Sequence, residues 1–406
     1  MRYLFVIFLL STLSTFSQNP LDKLIRKDPW LYEIVSQYPY QVQIIYTQID
    51  RDSNNKPAFE SFKFGVDENE YFYPASTVKM PAAFLALEKL NRLQILDLDK
   101  DTPLKIGANR DPQVAVAVDS SAQDLQASIA NYIKKIFVVS DNDAYNRLYE
   151  FLGQQYFNET LHKKGYKNTR VVHRLGPEGF PFGIEDNQYT NAFTFIENDK
   201  MVYYQGEVHS KWDDNLSLLR NQQKGIAHVN RRDELVQEPF NFQVKNFLSL
   251  QDLHNILKAV IFPEKTASAR RFDLSQEDYQ FLYDWMSRLP DESDFPEYEQ
   301  KEDNYVKFFW KGDQPGEIPD NIKIFNKVGW AYGFLTDVSY IIDTKNGLEY
   351  FLAATIHVNK NETYNDGVYE YETIGLPFFS KLGKAVYELE LDRKRKYQPD
   401  FSKFQN

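Results

Sequence analysis

The chain has 406 residues, 47 basic and 58 acidic side chains, a formal net charge of −11 and no cysteine. The acidic balance argues against a nucleic-acid partner, which needs a clustered excess of Lys and Arg, and a fold without disulfides must rest on its core. Hydrophobic residues make up 42%, with 31 Phe and 27 Tyr, and these aromatics read as core material rather than as a carbohydrate platform.

Residues 1–17 read as a signal peptide. Arg2 precedes an apolar stretch from Tyr3 to Leu10, and Thr15-Phe16-Ser17 suits cleavage before Gln18. The apolar stretch is too short to span a bilayer, and no later run reaches about 18 apolar residues. A lipid anchor would need a cysteine at the cleavage point. The expectation is a periplasmic or secreted protein without stable membrane insertion.

Residues 41–52 and 58–65 alternate apolar and polar side chains around the turn formers of DSNNKP, which predicts an antiparallel hairpin. From Ser76 to Leu93 the period becomes helical, with Met80, Ala83, Phe84, Leu87 and Leu90 on one face. Further helices are expected at 122–136 and 142–152, with Gly153 as the stop of the second. Residues 165–200 lack periodicity and read as loop. The irregular stretch at about 190–247 reads as an insertion, either surface decoration or a lid. Helix returns at 250–262 and 275–288, where Ser275 and Asp278 form an N-cap signature. Strands follow at 322–334, 336–343 and 349–358, then a helix at 372–391. Arg393-Lys394-Arg395-Lys396 opens a basic, solvated tail at 393–406. This order predicts an α/β fold over 18–392: an antiparallel sheet built by both chain ends and flanked by helices, with a helical region at about 76–320 between them.

Three motifs could carry chemistry. Ser76-Thr77-Val78-Lys79 is S-x-x-K at a helix start, a spacing that puts both side chains on one face, about 5–6 Å apart at Cβ. A serine hydroxyl needs a base to become a nucleophile, and a lysine serves when burial beside another cation keeps it neutral. The tetrapeptide occurs by chance about once in a chain of this length, and its bland reading is a helix cap with a surface lysine. Ser140-Asp141-Asn142 is rarer; it caps the 142–152 helix and could also relay a proton and hold a substrate amide. Lys-x-Gly occurs at Lys63, Lys105, Lys163, Lys327, Lys345 and Lys381. Only Lys327 opens a late strand after the other two motifs, where its charge could depress the pKa of Lys79 and hold an anionic group.

S-x-x-K, S-D-N and K-x-G in this order resemble the class A β-lactamase family of penicillin-recognising serine hydrolases. The flanking sequences YPASTVKMPAAFLALEKL, VVSDNDAYNRLYEFLG, LHKKGYKNTRV and KVGWAYGFLTDVSYI are similar to that family over about 40–175 and 248–390. The resemblance implies a serine β-lactamase or DD-peptidase-like fold. It implies an acyl-enzyme on Ser76, with Lys79 as proton acceptor and Ser140 as relay to the leaving nitrogen. Asn142 would bind the substrate amide and Lys327 its carboxylate. Gly329 and Trp330 would also bind the substrate, and the N–H groups of Ser76 and Trp330 would form the oxyanion hole. The substrate would be a β-lactam or a peptidoglycan-like acyl donor, turned over by a monomer with no cofactor and no metal.

Two departures stand out. Val328 replaces the hydroxyl residue of K-T-G, removing a hydrogen bond to a charged group typically worth about 1.5–3 kcal/mol. The E-x-x-L-N sequence that supplies the deacylating glutamate is also missing after Thr169-Arg170. Glu178 lies nearest its place, with Glu185 as the rival. Slow deacylation, as in a penicillin-binding or sensor-like protein, is therefore the alternative to β-lactam hydrolysis, as is amidase, peptidase or esterase action on another acyl donor. Six histidines without H-E-x-x-H spacing, and no G-x-S-x-G elbow, disfavour other hydrolase chemistries.

Overall fold

The computed structural model describes residues 19–176, 182–213, 216, 218–298, 301–312 and 317–404. The leader segment 1–17 and Glu178 lie outside these residues. Two short helices open the fold, α1 (Pro20–Lys27) and α2 (Pro29–Ser36), capped by Asn19 and Asp28 side chains ahead of a helix-starting proline.

The expected hairpin forms β1 (Gln43–Arg51) and β2 (Pro57–Phe64). The three late strands are β3 (Ile322–Ala331), β4 (Phe334–Asp343) and β5 (Leu348–His357). They combine into one antiparallel sheet of order β3-β4-β5-β1-β2, with β1 pairing to β5 in the register Thr47↔Phe351. Both chain ends thus build the sheet. Every residue of β4 and β5 is buried, because helices cover both faces. Alternate residues of β1 separate accordingly: Ile45 and Ile49 join the core under the helical region, while Ile44 and Tyr46 join the core under α1, α2 and the last helix.

The helical region holds α3 (Lys79–Leu93), α4 (Ile129–Val138), α5 (Asn142–Leu152), α6 (Gln154–Lys163), α7 (Leu250–Ile261) and α8 (Gln276–Ser287). The capping box of Ser275 and Asp278 starts α8 as expected. The chain closes with α9 (Leu376–Asp392). No helix of the described residues is long and apolar enough to cross a membrane.

Four expectations need correction. The helix expected at 122–136 starts only at Ile129, behind the Ser128 cap, because Asp119 and Asp124 turn the preceding chain by accepting the N–H groups of Ser121 and Gln126. The segment read as loop at 165–200 contains a strand at Phe193–Glu197, whose Phe193 and Phe195 are buried. Residues 190–247 are not surface decoration. Phe242 is buried among Tyr71, Phe334 and Tyr364, and Ala227–Val229 pairs in parallel with Thr363–Tyr364. The basic tail is docked rather than solvated: Arg393 and Arg395 pair with Glu390, and Phe401 and Phe404 are buried.

Candidate active site

Ser76 sits in a 3₁₀ turn, Ala75–Val78, that runs directly into α3. Ala75 takes the left-handed conformation (φ 45°) to make the entry, and Thr77 Oγ1 donates to Pro74 O at 2.7 Å to hold the turn. Lys79, one turn on, is fully buried because α3 packs into the core around its whole circumference.

Ser140 lies between α4 and α5, also with left-handed φ (60°), while Asp141 caps α5 by accepting the Ala144 N–H at 2.7 Å. That junction aims both the carbonyl and the hydroxyl of Ser140 at lysines. Lys79 Nζ donates to Ser140 O and to Asn142 Oδ1 (2.7 Å), and lies 3.3 Å from Ser140 Oγ. Lys327 Nζ donates to the same Oγ at 2.8 Å and to Val328 O at 2.9 Å. Two carbonyl-type acceptors take two Lys79 protons, so a neutral amine there can turn its lone pair to a hydroxyl.

A third lysine stands behind this pair. Lys307 Nζ donates to Met286 O, Ile324 O and Asn326 Oδ1 at 2.8–2.9 Å, and Asn326 Nδ2 donates to Asp337 Oδ1 at 2.9 Å. Burial holds Lys327 well below the ordinary lysine range, and the charges of Lys79 and Lys307 add to this while Asp337 opposes it. Burial brings Lys307 down to about 7 and raises Asp337 to about 6. Burial thus works against the charged form of both Lys327 and Lys307.

Gly329 brings β3 against the serine. A Cβ there would fall 2.6 Å from Pro74 O and 2.7 Å from Ser76 N. This approach needs glycine and sets the neighbouring Trp330 backbone beside Ser76. The Trp330 ring is 44% exposed and packs against Phe308 and Tyr371. Val328 is buried and contributes an apolar lining where a hydroxyl was missing from the motif.

Ser76, Ser140, Asn142, Val328, Gly329 and Trp330 line one cleft of about 1250 Å³. Among the described residues Asp233 is its one carboxylate lining. Glu185, the rival to Glu178, is exposed and lines neither this cleft nor the adjoining cavity. The loop residue held over the cleft is instead Leu175, whose N–H and C=O are both taken by the Asn146 amide at 2.7 and 3.0 Å. His173 is a structural group. Its Nδ1 bonds Arg174 O at 2.5 Å and its Nε2 accepts from Asn246 N, and burial lowers its pKa to about 3. Among the described residues, no group of three or more His, Cys, Asp or Glu could hold a metal ion.

Sequence reasoning missed Lys307 and Leu175. Lys307 shares no motif with the other lysines, and its role depends on a fold contact with Asn326. Asn146 was the available signal for Leu175, being one turn after Asn142 on the same helix face.

A sequence profile described as the beta-lactamase enzyme family matches residues 30–389. No curated protein matches the chain. Among solved structures, PBP-A aligns at 15% identity over 92% of this chain and 96% of that one, with a TM-score of 0.50. A β-lactamase from Desulfarculus baarsii aligns at 12% identity over 92% and 99%, TM-score 0.49. One from Sphaerobacter thermophilus aligns at 11% identity over 92% and 97%, TM-score 0.48. At these identities the likeness concerns the fold alone.

Proposed function

The chain belongs to the beta-lactamase enzyme family, and from that footing we propose that it is an exported acyl-transferring enzyme whose nucleophile is Ser76. The observation that carries this reading is the placement of Ser140 Oγ between Lys79 Nζ and Lys327 Nζ in the cleft that Ser76 lines. Lys79 takes the Ser76 proton as Oγ bonds to the acyl carbon of a β-lactam or related amide. The N–H groups of Ser76 and Trp330 receive the oxyanion, beside the helix-start charge of α3. As the C–N bond breaks, Ser140 passes a proton to the leaving nitrogen and is resupplied by Lys79 or Lys327. Asn142 holds the substrate amide, and Lys327 its carboxylate. Export rests on the leader-like residues 1–17.

Release of the acyl group needs a base to activate water. Glu178 is the candidate for that role. Leu175, clamped over the cleft by Asn146, favours a second reading, in which the acyl-enzyme persists and the protein behaves as a penicillin-binding protein rather than a rapid β-lactamase. Time-resolved intact mass with penicillin and cephalosporin panels separates the two. Rapid turnover that is lost in Ser76→Ala and slowed in Glu178→Gln supports hydrolysis; a stable adduct supports the persistent acyl-enzyme. Neither adduct nor turnover with any β-lactam would overturn both.

A further inference from the structure

The cleft at Ser76 adjoins a second cavity of about 480 Å³, and Tyr73, Leu175, Gly176, Arg231, Lys245 and Tyr332 line both. The two cations of this shared wall, Arg231 and Lys245, come from the 190–247 insertion. The chain at Lys245 is pinned, since its carbonyl accepts from Arg170 Nε at 2.9 Å. Its ammonium stands 5.8 Å from the centres of both Phe240 and Tyr332. Among the described residues neither cation has an ion-pair partner: Asp233, two residues from Arg231, and Asp213, on the wall of the second cavity, pair with neither. Burial, with the nearby Arg231 charge, lowers the Lys245 pKa.

Lys245, partly buried beside the charge of the exposed Arg231, carries a desolvation cost that an anionic ligand would offset. The wall they occupy is open to a ligand and is flanked by aromatic faces, which suits a short organic acid better than a fully hydrated anion. Ser140 and Lys327, which would serve the leaving side of the substrate, lie outside this shared wall; Leu175 and Gly176 lie within it.

We propose that Lys245 and Arg231 form a carboxylate subsite for the acyl half of the substrate, so that the preferred donor is a dicarboxylate, as an acidic peptide amide is. This deepens the reading of Ser76 as the acylated nucleophile and rests on it. The insertion would then supply specificity to a reaction carried out by the rest of the fold.

The test uses benzylpenicillin and its α-carboxy derivative, which share a ring system and differ by one side-chain carboxylate. The second-order rate of Ser76 acylation should favour the carboxylated compound by about tenfold or more. That ratio should fall to about one in Lys245→Gln combined with Arg231→Gln. Arg231→Gln alone, at an exposed position, should lower it part of the way without threatening the fold. Equal acylation by both compounds, with a ratio the substitutions do not move, would overturn the subsite while leaving the Ser76 reading intact. If neither compound acylates Ser76, that reading fails, and the subsite is judged by binding to Ser76→Ala. There N-succinyl-D-alanyl-D-alanine should bind about tenfold tighter than its N-butyryl analogue, and lose the advantage in Lys245→Gln. Equal affinity, or no binding of either, would overturn the subsite.

Discussion

Lys327 Nζ donates to Ser140 Oγ at 2.8 Å across 187 residues of sequence, and this bond joins the late sheet strand to the helical region at the point where chemistry is proposed. Because the hydroxyl is shared with Lys79, the three side chains should act as a unit. Ser140→Ala should slow acylation of Ser76 by about 10²–10⁴-fold, and Lys327→Ala by a comparable factor. The double variant should be slower than either single one but by less than the product of the two factors, since Ser140 and Lys327 share a proton path while Lys327 also holds the substrate carboxylate. Stopped-flow acylation rates of all four proteins check this, and strict additivity would contradict it.

Lys307 gives the site a pH signature. Its pKa falls from the ordinary 10.5 to about 7 on folding, so between those values the unfolded chain binds more protons than the native protein. The stability linked to this group is fully present above pH 10.5 and is lost as pH falls toward 7, at up to about 1.4 kcal/mol per pH unit. Unfolding free energies of the wild type should rise from pH 7 to 10 more steeply than those of Lys307→Met. Parallel curves would show that Lys307 keeps its proton in the fold.

Gly329 should tolerate no side chain. The added methyl of Gly329→Ala meets backbone atoms of Pro74, Ser76 and Thr77, so β3 or the nucleophile turn must move, at a cost of about 1–3 kcal/mol. Thermal unfolding should report that loss, and acylation should fall further than stability alone explains.

How much of this was legible beforehand follows from the range of the interactions. The β1–β2 hairpin and α5 rest on local periodicity and caps, and the sequence showed both. The meeting of Lys79 with Ser140 and Asn142 was legible because both motifs sit at helix starts, where local geometry dictates direction. Lys327 needed its strand context to be chosen among six Lys-x-Gly copies. The strand Phe193–Glu197 was not legible, since its five residues find their partners in Leu104–Ile106 and Lys200–Gln205. Nor was the wall formed by Arg231 and Lys245. An aromatic, charged and irregular insertion reads as surface decoration or a lid until the parallel pairing of Ala227–Val229 with Thr363–Tyr364 ties it to the rest of the fold.

Leu175 decides the lifetime of the acyl group in the persistent-adduct reading. Leu175→Glu places a carboxylate on the loop residue that Asn146 holds over the cleft. It should shorten the adduct's half-life by at least about tenfold through base catalysis, while lowering stability by about 1–3 kcal/mol for a buried charge without a partner. Decay of the adduct followed by intact mass measures the first effect; an unchanged half-life would remove Leu175 from the account.

The most direct measurement is peptide mapping of the wild-type protein after brief exposure to benzylpenicillin. The added mass should fall on the peptide that contains Ser76, with no addition in Ser76→Ala. An adduct on any other residue, or the same adduct in Ser76→Ala, would contradict the assignment of the nucleophile.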